Sequence, residues 1–331
     1  KLTNISSTYH NNPYYFPSNP VYKGTTVRAQ TIKPGTPPSE TVTNTYFIHN
    51  DTHNRYSLPV VALSVQEDLL FDYDKGLYVA GKYFEDWRIA NPFAPADGGS
   101  NANYHQSGRA WEYPAHIELF AGEEGQVFSQ SLGVRTHGNW STSHPMKSLR
   151  LYGRNEYGES RLEYPFFPDR KHDAYKRLIL RNSGNDWGYT MFRDAAIQSV
   201  VKHMDFETQA YQPTVLFINS EYWGIHNLRE RFDKHYLERM FGIDPDNIDL
   251  LEANGIVSEG DNQHYNETLA YISSNGLNQD QYYDYIKTRI DVNSFMDYQI
   301  AQIYIANEDW PGNNHKYWRA NTEFDPTAPK G

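Results

Sequence analysis

In a chain of 331 residues whose mean hydropathy is −0.77, one run stands apart. Leu58-Pro59-Val60-Val61-Ala62-Leu63-Ser64-Val65 is almost continuously apolar. A strand with apolar side chains on both faces has to be covered on both, so the run reads as a strand inside a packed assembly. Pro59 stands at its start, where a missing ladder donor is tolerated.

The other strand signals alternate. Thr25-Thr26-Val27-Arg28-Ala29-Gln30-Thr31-Ile32 and Glu40-Thr41-Val42-Thr43-Asn44-Thr45-Tyr46-Phe47-Ile48 flank a Pro/Gly turn and predict a hairpin. Residues 115–120 form another strand. After a turn over 133–139, Lys147-Ser148-Leu149-Arg150-Leu151-Tyr152 puts Lys147, Leu149 and Leu151 on one face and Ser148, Arg150 and Tyr152 on the other. Leu178-Ile179-Leu180 is a short buried strand. Residues 214–218 and 222–228 form a hairpin around Asn219-Ser220-Glu221.

Helical periods follow over 191–203, with Phe192, Ala195, Ala196, Ser199 and Val200 on one face, and over 229–240, ending near Gly242. More helices fill 262–306, with Asn278 and Asp280 as cap candidates. The fold class is α+β. Residues 1–20 read as an extended arm and 49–56 as a linker. Residues 85–112 have little periodicity, and a loop that long is usually functional or mobile. It is placed here as a possible cover for a site.

Composition excludes several functions. With 30 Lys and Arg against 41 Asp and Glu, the net charge is −11 and no nucleic-acid footprint is expected. The absence of cysteine removes disulfides, thiolate zinc sites and cysteine nucleophiles. No stretch approaches the ~20 apolar residues of a membrane span. The first residues, Lys1-Leu2-Thr3-Asn4-Ile5, show no signal-peptide core, and the missing initial Met suggests a piece of something longer. Aromatic residues make up 15% of the chain, including 27 Tyr and 7 Trp. Such polar, aromatic sequence suits extracellular or sugar-handling surfaces.

The stretch that points to chemistry is Ile303-Tyr304-Ile305-Ala306-Asn307-Glu308-Asp309-Trp310-Pro311-Gly312-Asn313-Asn314-His315-Lys316-Tyr317-Trp318-Arg319. An apolar helix runs into a polar turn, and a strand follows. Asp309 and Asn314 have the Asp-x-x-x-x-Asn spacing in which an Asp accepts a hydroxyl proton and an Asn holds a metal ion. Asp and Asn also fill turns for local reasons. Other readings are weaker. None of the 13 His falls in H-E-x-x-H, and His226 and His235 read as surface or hairpin residues. Glu118, Glu123 and Glu124 are not placed by sequence as a glycosidase pair. Asp72-Tyr73-Asp74-Lys75-Gly76 lacks the full calcium-loop pattern.

Arg135-x-x-Gly138-Asn139 with Lys147, Leu180-Arg181-Asn182 with Phe192-Arg193-Asp194, and Glu221-Tyr222-Trp223-Gly224-Ile225-His226-Asn227-Leu228-Arg229-Glu230-Arg231-Phe232-Asp233-Lys234 together resemble the spore-coat CotH kinase family. Asn307-Glu308-Asp309 with Asn314-His315-Lys316-Tyr317-Trp318-Arg319 completes the resemblance, which covers about 55–331. It implies an atypical protein-kinase-like fold that uses ATP and Mg or Mn to phosphorylate Ser or Thr of a protein partner, outside the cell or at its surface. By the same resemblance Lys147 meets the ATP phosphates with Arg135 as a second cation, and Glu230 positions Lys147 or the nucleotide. Tyr222 and Trp223 stack on adenine, Asp309 is the catalytic Asp, and Asn314 is a metal ligand.

Residues 21–48 resemble the end of an immunoglobulin-like module of the kind attached to chitobiases. The expected division is therefore 1–52 for a partial β module and linker, and 53–331 for the kinase domain. The family carries a further metal-binding Asp on a strand beyond the turn after Trp318-Arg319. Gly331 falls inside that turn; if the chain is cut there, part of the metal site lies outside these residues, and the fragment would bind nucleotide weakly and be inactive. Asp325, in Phe324-Asp325-Pro326, reads as turn chemistry rather than as that ligand. The alternative function is a non-catalytic surface protein that reuses the fold to bind polysaccharide or a protein partner.

Overall fold

The computed structural model describes residues 19–48 and 55–327; the expected extended arm and the linker fall largely outside them. The chain divides into two compact units, one of residues 1–193 with 210–230, the other of 194–209 with 231–331. The fold is mixed α+β, with several sheets and, among the described residues, seven α-helices.

The first unit is built on a closed seven-stranded barrel. A hairpin comes first, β1 (Thr25–Ala29) against β2 (Val42–Tyr46), as the alternation predicts. The apolar run becomes β3 (Val60–Val65), followed by α1 (Glu67–Phe71) and α2 (Gly81–Ala90). Next come β4 (Tyr113–Phe120), β5 (Gln126–His137) and β6 (Ser148–Tyr152), then the small pair β7 (Leu162–Glu163) and β8 (Ala174–Tyr175). Strand β9 (Arg177–Arg181) leads out to α3 (Arg193–Val201), which counts with the second unit from residue 194 on, and β10 (Tyr211–Ile218) and β11 (Glu221–Glu230) return to the first. Around the barrel the order is β3-β4-β5-β6-β9-β11-β10, and a parallel β10–β3 pairing closes it.

Alternate residues fill the interior, as a barrel this narrow requires. Leu63, Ile117, Leu132, Leu149, Leu180, Leu216 and Leu228 all belong to one buried core. In β3 the intervening Ala62 and Ser64 are buried too, so that strand is covered on both faces as its sequence requires. Asn219 and Ser220 take φ of 50° and 70°, and two left-handed residues make the tight β10–β11 turn.

The second unit holds α4 (Lys234–Phe241) and the sheet of β12 (Ile248–Glu252) with β13 (Ile256–Glu259). It continues through α5 (Gln263–Asn275), α6 (Asp280–Lys287) and α7 (Val292–Tyr304) to β14 (Lys316–Ala320), which pairs with β12.

Several expectations are corrected. The turn expected over 133–139 is strand as far as His137. The helix expected from 229 begins at Lys234, because Leu228 to Glu230 pair with β9 in the barrel wall. Asp233 is its cap, accepting from the His235 and Tyr236 amides. Helix α3 starts at Arg193 after Met191 turns left-handed, and its expected inner face is rotated. Phe192 and Val200 are exposed, while Ala195 and Val201 are buried. Asn278 and Asp280 do not cap α6; its N-cap is Gln279, without a side-chain bond. His226 is fully buried rather than at the surface.

Candidate functional site

In the second unit, α7 and β14 hold the loop that the sequence singled out. Asp309 begins it as part of an Asx turn, its amide donating to Asn307 Oδ1 at 3.1 Å. Asn313 Nδ2 donates to Asp309 Oδ1 at 3.1 Å, and Asn314 Nδ2 donates to Asp309 Oδ2. Asn314 reaches that position through a left-handed backbone, φ 56°. Asp309 and Asn314 are thus brought together, and both are exposed. They offer carboxylate and carboxamide oxygens, the hard donors that Mg or Mn takes while keeping several waters. The donor set fits such an ion at two positions. No group of three or more His, Asp or Glu suited to a metal forms among the described residues. Asp325 is a turn residue, its Oδ1 accepting from the Thr327 amide at 2.8 Å and hydroxyl at 2.7 Å.

In the first unit, Lys147 immediately precedes β6 and follows its alternation into the end of the barrel. It is fully buried. Its Nζ donates to Thr142 O at 2.6 Å and His144 O at 3.1 Å, and lies 3.9 Å from the centre of the Tyr104 ring. Burial pushes this ammonium well below the usual lysine range. Burial likewise lowers His144 to about 4, with the Lys147 charge as the smaller cause. Among the described residues no carboxylate pairs with Lys147.

Glu230 is buried as well, but against other partners. Its Oε2 accepts from Arg170 Nε at 3.0 Å and Nη2 at 2.8 Å, and from the Ala210 amide at 2.8 Å. The structure therefore does not bring Glu230 to Lys147. Arg135 lies half-buried on the outer face of the barrel, its guanidinium carbon 4.9 Å from the Tyr152 ring centre. Its Nε has no hydrogen-bond partner among the described residues. Directly across the strand pair stands Arg150, whose Nε donates to His137 Nδ1 at 2.8 Å. Like charges directly across a strand pair are ordinarily unfavourable. Trp223 is packed in the core, edge-on to Tyr78 at 5.0 Å, whereas Tyr222 is half-buried and stacked on Tyr56 at 6.3 Å.

Sequence reasoning missed Tyr104, Arg150, Arg170 and Asn313. Arg150 was legible, because the β6 alternation puts it outward across from Arg135. Tyr104 carried no local signal; it lies in the aperiodic stretch before β4.

A comparison with curated proteins finds no similar sequence. The chain matches the family described as CotH kinase protein over residues 134–326, more than half its length. That span takes in Arg135, Lys147, Tyr222, Trp223, Glu230, Asp309 and Asn314, and the chain belongs to the CotH kinase protein family.

Proposed function

We propose that this chain is a CotH-type protein kinase that transfers the γ-phosphoryl group of ATP to a Ser or Thr hydroxyl of a protein partner. The observation that carries the reading is the Asp309–Asn314 side-chain contact on an exposed loop, in a chain of this family. Asp309 takes the hydroxyl proton as the new O–P bond forms and the bond to ADP breaks. Asp309 and Asn314 would hold Mg or Mn, which when bound neutralises charge on the phosphoryl oxygens. By the family resemblance Lys147 meets the ATP phosphates, while Arg135 and Arg150 form a separate basic pair on the outer face of the barrel. Tyr222 is the better-placed ring for adenine, since Trp223 is committed to the core. Glu230 acts through Arg170 and residue 210, as a positioning group.

The α+β fold is read as a remote kinase-like fold, and the β1–β2 hairpin as the end of an immunoglobulin-like module. The protein would act outside the cell or on its surface.

The test is titration of ATP with Mn or Mg into the wild type and Asp309→Asn, beside a phosphorylation assay. Asp309→Asn is expected to lose transfer by about 10²–10⁴-fold and to weaken metal-dependent ATP binding, since the same carboxylate would hold the ion. Absence of metal-dependent nucleotide binding in the wild type would sink the reading.

One observation favours non-catalytic binding of polysaccharide. A cleft of about 310 Å³ is lined by Tyr22, Tyr46, Phe47, Tyr56 and Phe120, with the Arg55 guanidinium 4.1 Å over the Tyr22 ring. Aromatic faces beside a cation suit a sugar ring. A glycan array with the wild type and Tyr46→Ala decides it.

A further inference from the structure

Lys147 is fully buried and covered by Tyr104 of the 91–112 segment. Tyr104, fully buried, supplies the ring beneath the ammonium, and its carbonyl accepts from Thr136 Oγ1 at 3.0 Å. Upstream, Gly98 and Gly99 lie flat against the Trp140 indole, with no room for a Cβ at Gly98. The Gly98 carbonyl also meets His105 Nε2 at 2.9 Å. Downstream, Gly108 takes φ 87°. Upstream of Tyr104 the segment is thus anchored, and downstream Gly108 can absorb backbone rotation.

The surroundings of Lys147 do not satisfy it fully. Every partner of Lys147 is neutral: two carbonyls and aromatic faces. Two neighbouring polar atoms, the Tyr78 hydroxyl and His226 Nδ1, are buried with no hydrogen-bond partner among the described residues. The Tyr78 ring centre lies 5.7 Å from Nζ, and His226 Nε2 is 3.1 Å from the Lys147 carbonyl oxygen. Buried polar groups are ordinarily paired, so two residues that border Lys147 keep hydrogen-bonding capacity unused.

We propose that residues 91–112 are a latch that keeps Lys147 in reserve, and that the phosphates of a nucleoside triphosphate displace Tyr104 from its ammonium. This rests on the reading of Lys147 as a phosphate ligand. A charge-assisted bond to phosphate is roughly twice as strong as one to a neutral group, so the exchange favours the ligand. Without it, the ring and the two carbonyls hold the lysine closed.

The experiment compares the wild type with Tyr104→Leu and the milder Thr136→Val, which removes only the hydroxyl bond to the Tyr104 carbonyl. Acetylation of Lys147 by a small amine-reactive reagent, followed by mass spectrometry, is read without nucleotide under conditions where each chain remains folded. Both variants are expected to speed it, Tyr104→Leu by about 10-fold or more and Thr136→Val by a few-fold. The apparent Kd for ATP with Mn is expected to tighten about 3- to 10-fold in Tyr104→Leu, because less binding energy goes into opening the latch. Amides 103–105 of the wild type should exchange faster when ATP with Mn is added. Acetylation that is no faster in either variant overturns the latch, as does a Kd that is unchanged or weaker in both. If acetylation speeds up and no chain binds ATP, the latch's role toward a triphosphate falls with the kinase reading, and the sequestration of Lys147 by Tyr104 alone stands.

Discussion

His226 is enclosed at the barrel end, and burial holds its imidazole neutral down to about pH 4. In the unfolded chain the same ring protonates near its ordinary value of 6.5. Between those two values the unfolded state binds the extra proton and the folded state does not. Stability from this residue is therefore complete above about pH 6.5 and is lost as the pH falls toward 4, by up to about 3 kcal/mol. His144 works in the same direction over the same window, since burial and then the Lys147 charge lower it to about 4. His226→Gln keeps a donor for the Lys147 carbonyl and removes the titration. Urea midpoints measured from pH 7.5 to 4.5 should fall less steeply in that variant than in the wild type. An equal fall would assign the acid sensitivity to other groups. The same enclosure explains why Lys147 resists reading from sequence: its neighbours Tyr104 and Tyr78 come from far upstream.

At the scale of elements, the β1–β2 hairpin is fastened by a buried carboxylate. Glu118 faces out of the barrel, yet it is fully buried and accepts from the Thr45 amide at 2.9 Å, the Thr45 hydroxyl and Gln126 Nε2 at 2.7 Å. The Gly24 amide donates to Ser220 O at 2.8 Å, and the Tyr222 amide to Tyr22 O at 3.1 Å. Glu118→Ala strands these buried donors and is expected to cost about 2–3 kcal/mol. Amides 25–29 and 42–46 should then exchange markedly faster than those of β5 and β6; equal protection would show that the hairpin docks by other means.

Hairpins and alternating strands were legible because period two is a local property, visible in six residues. The Asp309 loop was legible because a helix, a turn and a strand follow one another without interruption. The helix expected at 229 failed for the opposite reason. Its first residues are claimed by β9, a pairing between positions about fifty apart that no local period records. Glu230 moves with it: in β11 it points at Arg170 and the residue 210 amide.

At the scale of the molecule, the family match begins at residue 134, inside β5. The barrel does not. Strands β3 and β4 lie upstream of the match, and β3 supplies the parallel pairing to β10 that closes the ring. A chain of residues 134–326 would keep the end of β5 with β6, β9, β11 and β10 but lose β4 beside β5 and β3 beside β10. It would expose two open edges and an apolar interior that Val61, Leu63, Ile117 and Leu119 otherwise help to fill. The matched span is therefore expected to aggregate and to lose the urea transition of the barrel strands, which residues 19–327 should show. A soluble, cooperative 134–326 would mean that the barrel can close without its parallel seam. The kinase reading would then need only the matched residues, and the upstream strands and their hairpin would have to be explained by a separate task.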